Sequence, residues 1–357
     1  MSDDKTFSGK LIAWHRRHGR HDLPWQGTND PYRIWLAEIM LQQTQVAAVT
    51  PYYRRFLEQY PTLPELAAAS VEEVMGLWSG LGYYARARNL HRCAQVVIAR
   101  HEGAFPHHPD VIAQLPGIGR STANAIAAFC FGARTAILDG NVKRVLCRTH
   151  GIEGFPSAPA VEKVLWRLAE ALLPQQDCAI YIQAQMDLGA TVCTRSKPRC
   201  LADENNCPVA DNCVARKQGR TAELPVTRPR KTLPQRETFV LLLLDGDKIL
   251  LERRPPSGIW GGLLSLPELP AGADPVAHAA HTLGCAVKCF STLPPLRHGF
   301  THFHLTLLPL SGTAKLLPHA AEAAGHCWLG SAEIGAAALP APIRKILSAA
   351  FQASSAR

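Results

Sequence analysis

Long apolar runs are missing from the 357-residue chain: Phe239 to Leu244 is six residues long, where a membrane helix needs about 20. A spanning segment is thereby excluded. Acids are the scarcer charge, 29 Asp and Glu against 38 Lys and Arg, and the balance of +9 favours a polyanionic partner. Met1 to Phe7 is polar and acidic, without the apolar core or cleavage site of a secretory leader, so the eleven Cys are expected in a reducing, cytoplasmic setting without structural disulfides. No internal repeat is present. Only 19% of residues are charged against 47% hydrophobic, which excludes a disordered chain, and the length suits two domains better than one.

What is present divides at a basic stretch. Residues 10 to about 190 show helical apolar periodicity broken by Pro and Gly, with little β-branched alternation. Between Arg216 and Arg236 seven Lys and Arg meet one acid, with Pro225, Pro229 and Pro234, a composition for an exposed linker at a domain boundary. Beyond it, Glu237 to Leu244 and Lys248 to Glu252 flank Asp245-Gly246-Asp247, a hairpin signal. Further strand-like stretches at Cys285 to Phe290 and Phe303 to Pro309, and a helical tail from Pro342 to Phe351, predict a smaller α+β domain.

Two carboxylates stand out. Asp30-Pro31 reads as an N-cap with Pro at the first helical position, opening a helix through Leu41. From Ile34 to Tyr53, Glu38 is the only charged residue; desolvation should raise its pKa into the range of a general acid at neutral pH. Further on, Asp139 precedes Gly140-Asn141-Val142-Lys143 and reads as a cap, its carboxylate held ionised by the helix N-terminus. A protonated acid beside an anionic stabiliser is the division of labour that cleaving a glycosidic bond requires. Between them, Leu115-Pro116-Gly117-Ile118-Gly119-Arg120-Ser121 joins two helical patterns by a turn where backbone can approach a phosphate closely.

With AEIMLQQTQV around Glu38, GLGYYARARNLH, LPGIGRSTANAI, LDGNVKRV and QAQMDLGATVCTRSKPRC, the chain resembles MutY-type adenine DNA glycosylases of the helix-hairpin-helix superfamily over residues 10 to 350. The resemblance implies a multidomain protein. A mostly α-helical glycosylase domain would occupy 1–215, the basic linker 216–236, and a MutT-like, Nudix-like α+β domain 237–357. It further implies base excision on double-stranded DNA by a monomer, cytoplasmic and associated with the bacterial nucleoid, with adenine opposite 8-oxoguanine or guanine flipped into a pocket. Glu38 would protonate adenine and activate water, Asp139 would face the oxocarbenium ion, and Asn141 would assist. Arg20, Trp25, Leu41 and Gln183 match pocket positions, Gln43 and Tyr83 match residues wedged beside the oxidised guanine, and Gly117 and Gly119 match the phosphate-gripping hairpin. Ser121 stands where related endonuclease III type enzymes carry a Schiff-base Lys, which implies a monofunctional enzyme in which Lys143 reaches the abasic product only off pathway. A bifunctional lyase and a non-catalytic iron-sulfur DNA-binding protein are the competing readings.

Cys193, Cys200, Cys207 and Cys213, separated by six, six and five residues, suit metal or cluster ligation in a reduced chain, with zinc as the alternative. The resemblance implies a [4Fe-4S] cluster, although the family spacing is six, two and five, so that Leu201 to Asn206 carries four extra residues. In the C-terminal domain, Leu269 to Leu283 holds one acid, Asp274, where a Nudix hydrolase needs a set of Glu ligands for Mg²⁺; recognition without hydrolysis is expected. Phe300-Thr301-His302 matches the loop that senses 8-oxoguanine, with Thr where the family has Ser.

Overall fold

The computed structural model describes residues 6–201, 207–228, 232–317, 325–335 and 337–355. Its contacts divide the chain into two compact units, Met1–Ala67 with Arg92–Arg230 and Ala68–His91 with Lys231–Arg357. The helices up to the linker are α1 (Phe7–His18), α2 (Pro31–Leu41), α3 (Val46–Gln59), α4 (Leu63–Ala68), α5 (Val71–Trp78), α6 (Ala85–His101), α7 (Pro109–Ile112), α8 (Arg120–Phe131), α9 (Gly140–His150), α10 (Pro159–Ala171), α11 (Cys178–Asp187) and α12 (Val214–Lys217). Asp30 caps α2 as expected, its Oδ1 accepting from the Tyr32 amide at 2.9 Å with Pro31 at the first position.

The first unit is helical. One core joins Ala125 and Ala128 of α8 to Ile137 and Leu138, Val142 and Leu146 of α9, Leu165 of α10 and Ile182 of α11. Leu138 and Val142 bracket Asp139-Gly140-Asn141 and are both buried; at about 1.5–3 kcal/mol for each such side chain, they fix the polar residues between them. A second core packs Leu11, Ile12 and Trp14 of α1 against Tyr181, Ala184 and Leu188, with Cys193 at its edge.

The exposed linker is shorter than the sequence suggests. α12 runs into the basic stretch, Thr221 and Leu224 are buried, and the Leu224 carbonyl accepts from Arg148 Nε at 2.8 Å. Arg220 pairs with Glu153 at 2.9 Å and Glu223 at 2.8 Å. Arg220 is thus anchored by one partner distant in sequence, Glu153, as well as by the nearby Glu223.

The second unit is built on β1 (Gln235–Asp245), β2 (Lys248–Arg253), β3 (Leu264–Ser265), β4 (Glu268–Leu269), β5 (Cys285–Val287), β6 (Ser291–Thr292), β7 (Leu296–Gly299), β8 (His304–Leu316) and β9 (His326–Gly330), with α13 (Pro275–His281) and α14 (Ala341–Ser355). The main path is β3-β2-β1-β8-β5, with β1 parallel to β8 from Gln235 opposite His304 to Leu244 opposite Thr313. The expected hairpin closes with Asp245 opposite Lys248. Cys285 is a buried core residue beside Leu241, Leu243 and Val287. The segment 68–91 makes contacts to this unit: Ser79 Oγ donates to the Leu339 carbonyl at 3.1 Å and Arg88 Nη1 to the Gly261 carbonyl at 2.6 Å.

Candidate active site

One cavity of about 730 Å³ brings together Arg20, Trp25, Glu38, Leu41, Gln43, Ser121, Asp139, Asn141 and Gln183. A second, of about 410 Å³, is lined by His15, His21 and Phe129 and shares Trp25, Glu38 and Gln183 with the first. Glu38 thus sits in the wall between two cavities. Burial first, and then the nearby Asp139 carboxyl, push its pKa up to about 7.

Asp139 caps α9 as read from sequence, Oδ1 accepting from the Val142 amide at 2.7 Å and Oδ2 from Asn141 Nδ2 at 3.2 Å. The electrostatic outcome differs from the sequence expectation. Burial raises this carboxyl above its ordinary range against the downward pull of the Val142 amide, Asn141 and Arg144. Both acids are therefore costly to ionise. Asp139 has those three stabilising neighbours, so a single negative charge on the pair belongs there and the proton on Glu38.

Arg144, one turn along α9, ties the site to its surroundings. Its Nη2 donates to Asn141 Oδ1 and to the Gly189 carbonyl, each at 2.7 Å, and its Nε to the Cys193 carbonyl at 2.8 Å. Gly189 has no room for a side chain, because a Cβ there would stand 2.6 Å from Asn141 Cβ. Ser121 Oγ accepts from the Leu138 amide at 3.0 Å, bracing the residue before Asp139. Lys143 Nζ pairs with Glu162 at 2.6 Å and does not line the cavity. Gly117 takes a φ of +79°, and Gly119 caps α8 with no side chain, a Cβ there meeting nothing within 4 Å, so the hairpin backbone is open to approach.

Sequence reasoning missed Asp187. Fully buried, it accepts from Arg20 Nε and Nη2 at 2.9 and 2.6 Å, from the Arg20 amide at 2.8 Å and from Gln183 Nε2 at 2.9 Å, and His15 Nε2 lies 3.2 Å away. Burial opposes its charge, but the His15 and Arg20 bonds prevail and lower its pKa. The signal was available: from Cys178 to Thr194 it is the only charged residue, the same pattern that singled out Glu38. Asp187→Asn is expected to cost about 1–3 kcal/mol of stability and to loosen Arg20 and Gln183 together, read as a lowered urea midpoint and slower base release; an unchanged midpoint would count against this role.

Of the four spaced cysteines, Cys193, Cys200 and Cys213 are buried and Cys207 half-buried. Burial pushes the Cys207 thiol up to about 12, with the neighbouring Cys200, Cys193 and Cys213 adding to it. Burial raises the Cys200, Cys207 and Cys213 thiols, and together with Cys193, whose Sγ lies 3.4 Å from Arg148 Nη1, they form a donor set that a bound cation would convert to thiolates. Among the described residues, no group of three or more Cys, His, Asp or Glu is arranged to hold a metal ion.

In the second unit, the amide of Phe300 donates to the Phe303 carbonyl at 2.9 Å, closing the turn from β7 to β8 with Thr301 and His302 exposed at its tip. The Phe300 ring lies between Trp260, 5.6 Å away, and Phe303, stacked at 4.6 Å. Asp274 caps α13 by accepting from Ala277 at 2.8 Å, a structural use of that stretch's one acid. Tyr83, at φ +51° and 49% exposed, and Gln43, at φ +56°, adopt left-handed conformations, a strain for non-glycine residues that recurs at functional sites.

Residues 36–171 match the family model described as HhH-GPD superfamily base excision DNA repair protein, and residues 239–349 match the NUDIX domain. The chain is 34% identical over 345 residues to the adenine DNA glycosylase of Buchnera aphidicola subsp. Acyrthosiphon pisum, covering 96% of each. It is also 34% identical over 423 residues to the adenine DNA glycosylase of Homo sapiens, covering 97% of this chain and 74% of that one. The solved structure of a thermostable thymine-DNA glycosylase is 30% identical with a TM-score of 0.54, covering 59% of this chain and 95% of its own.

Proposed function

The chain belongs to the adenine DNA glycosylase family of the HhH-GPD superfamily, a premise on which we propose that it hydrolyses the N-glycosidic bond of adenine opposite 8-oxoguanine or guanine in duplex DNA, acting as a monomer and leaving the strand intact. The observation that carries this reading is Glu38, poised near pH 7, lining one cavity with Asp139.

An extruded adenine enters beside Trp25 and Leu41, its polar edge facing Arg20 and Gln183. Protonated Glu38 donates to the purine ring nitrogen N7, so that the electron pair of the breaking bond leaves with a neutral base. Asp139 faces the sugar cation. Water adds to the anomeric carbon and gives its proton to the Glu38 carboxylate, which restores the acid. Ser121 supplies no amine for a Schiff base, and its hydroxyl is engaged with Leu138. Gln43 and Tyr83 wedge beside the unpaired base, the Gly117-to-Gly119 hairpin holds phosphate, and the Thr301-His302 tip addresses 8-oxoguanine.

Cys193, Cys200, Cys207 and Cys213 would hold a [4Fe-4S] cluster, their four thiols supplying one ligand each. Cys193, whose carbonyl accepts from Arg144 Nε, would tie the cluster-bearing stretch to the residues of the cavity. Iron and acid-labile sulfide at about four each per chain are expected in protein purified without oxygen, and zinc in their place would overturn the assignment.

The test of function is base release under single-turnover conditions from duplexes with adenine opposite 8-oxoguanine, guanine or thymine. The first two are expected to react, with strand breaks appearing only after alkali; breaks without alkali would favour the lyase reading. Thr301→Ala combined with His302→Ala is expected to reduce the preference for 8-oxoguanine over guanine while sparing the guanine pair, and equal loss on both would count against that role.

A further inference from the structure

We propose that Arg88 is a positioning residue for recognition of the base opposite adenine, coupling Tyr83 to the Phe300-Thr301-His302 tip so that the two read a lesion as one piece. The inference rests on the reading above that both elements face that base. They belong to the same compact unit although more than two hundred residues apart in sequence.

The connection is continuous. Tyr83 precedes α6, where its carbonyl accepts from the Arg86 amide at 2.9 Å and its ring lies 5.3 Å from the Arg86 guanidinium. One turn later Arg88, half-buried, donates through Nη1 to the Gly261 carbonyl at 2.6 Å. The Gly261 backbone is packed against that of Pro255 and Pro256, where a Cβ would stand 2.6 Å from the Pro256 carbonyl oxygen. The preceding residue, Trp260, is 8% exposed in a left-handed conformation at φ +54°, a costly backbone for an indole residue that its packing must hold in place. Its ring lies against Phe300 at 5.6 Å and His298 at 5.9 Å, and the Phe300 ring supports the exposed tip. In the proposed coupling, α6 carries the position of Tyr83 to Arg88, and Gly261 and Trp260 carry it on to Phe300. A second latch holds the start of the segment: Arg344 Nη2 donates to Ser79 Oγ at 3.1 Å and to the Ala337 carbonyl at 2.7 Å.

The hydrogen bond from Arg88 touches neither of the recognition elements directly, so its loss should change discrimination and leave the chemistry alone. Single-turnover rates and duplex affinities for adenine opposite 8-oxoguanine and opposite guanine are measured for the parent, Arg88→Met, Arg88→Lys and Trp260→Phe in the full-length protein. Arg88→Met is expected to reduce the preference for 8-oxoguanine about fivefold, the scale of one charge-assisted hydrogen bond, with the rate on the guanine pair unchanged. Arg88→Lys, which retains one donor, is expected to restore most of the preference, and Trp260→Phe, which retains a ring, is expected to lose less than Arg88→Met. Parallel loss on both substrates, or an unchanged preference in Arg88→Met, overturns the coupling. Tyr83→Ala and the Thr301→Ala, His302→Ala double variant are run alongside. If these shift the preference and Arg88→Met does not, the coupling fails while the recognition reading stands; if none of them does, both fail.

Discussion

Glu38→Gln is expected to lower single-turnover release of adenine by roughly 10²–10⁴-fold, the range of a positioned general acid, while duplex binding survives. The amide retains the shape of the side chain and has no proton to give. In the parent, burial and Asp139 raise the carboxyl to about 7, so the rate should fall about tenfold per unit above that pH. Stability moves in the same window. Between the ordinary carboxyl value of 4.5 and about 7 the folded protein binds the extra proton, so folding weakens as pH rises through that interval. Glu38→Gln escapes this loss and should be more stable than the parent above pH 7, by about 3 kcal/mol, with the difference vanishing below pH 4.5. Retained activity, or identical unfolding midpoints at pH 8, would show that this carboxyl is neither the acid nor desolvated.

Asp139→Asn is expected to slow base release by about 10²–10³-fold, as other losses of a preorganised group facing transition-state charge do. Asparagine caps helices about as well as aspartate, and its carbonyl oxygen takes over the Val142 amide, so stability should change little. Asp139→Ala, which abandons that amide, should cost about 1 kcal/mol more. The electrostatic signature is specific: Asp139 is the second cause of the elevated Glu38 pKa, so the residual activity of Asp139→Asn should lose its basic limb at a lower pH than the parent. A residual rate within tenfold of the parent would contradict an anionic stabiliser at this position.

Locally encoded features were legible before any coordinates. Asp30-Pro31 announces α2, the isolation of Glu38 among apolar residues announces its burial, and Asp245-Gly246-Asp247 announces the hairpin. Each depends on residues within a turn or two of one another. What was not legible depends on pairings set by the tertiary fold. Arg20 meets Asp187 across 167 residues, and Arg148 meets Leu224 across 76, and neither pairing leaves a trace in periodicity. The same limit explains the segment from Ala68 to His91. Its capping box at Ser70 and Glu73 reads as an ordinary helix start, whereas its allegiance to the β-containing unit lies in single hydrogen bonds from Ser79 and Arg88. The shift of the Asp139 carboxyl was misjudged for a related reason: the cap that favours its charge is local, but the burial that raises its pKa is contributed by the whole cavity.

Arg148 is a buried guanidinium whose nitrogens reach the carbonyls of Thr194 at 2.7 Å, Arg195 at 2.9 Å and Leu224 at 2.8 Å, while its own carbonyl receives Cys213 Sγ at 3.4 Å. These tethers all fall at the margins of the cysteine-rich stretch, on either side of the span from Cys200 to Cys207. Both flanks of the stretch thus answer to a single side chain, so replacing Arg148 would release the residues after Cys193 and those around Leu224 together.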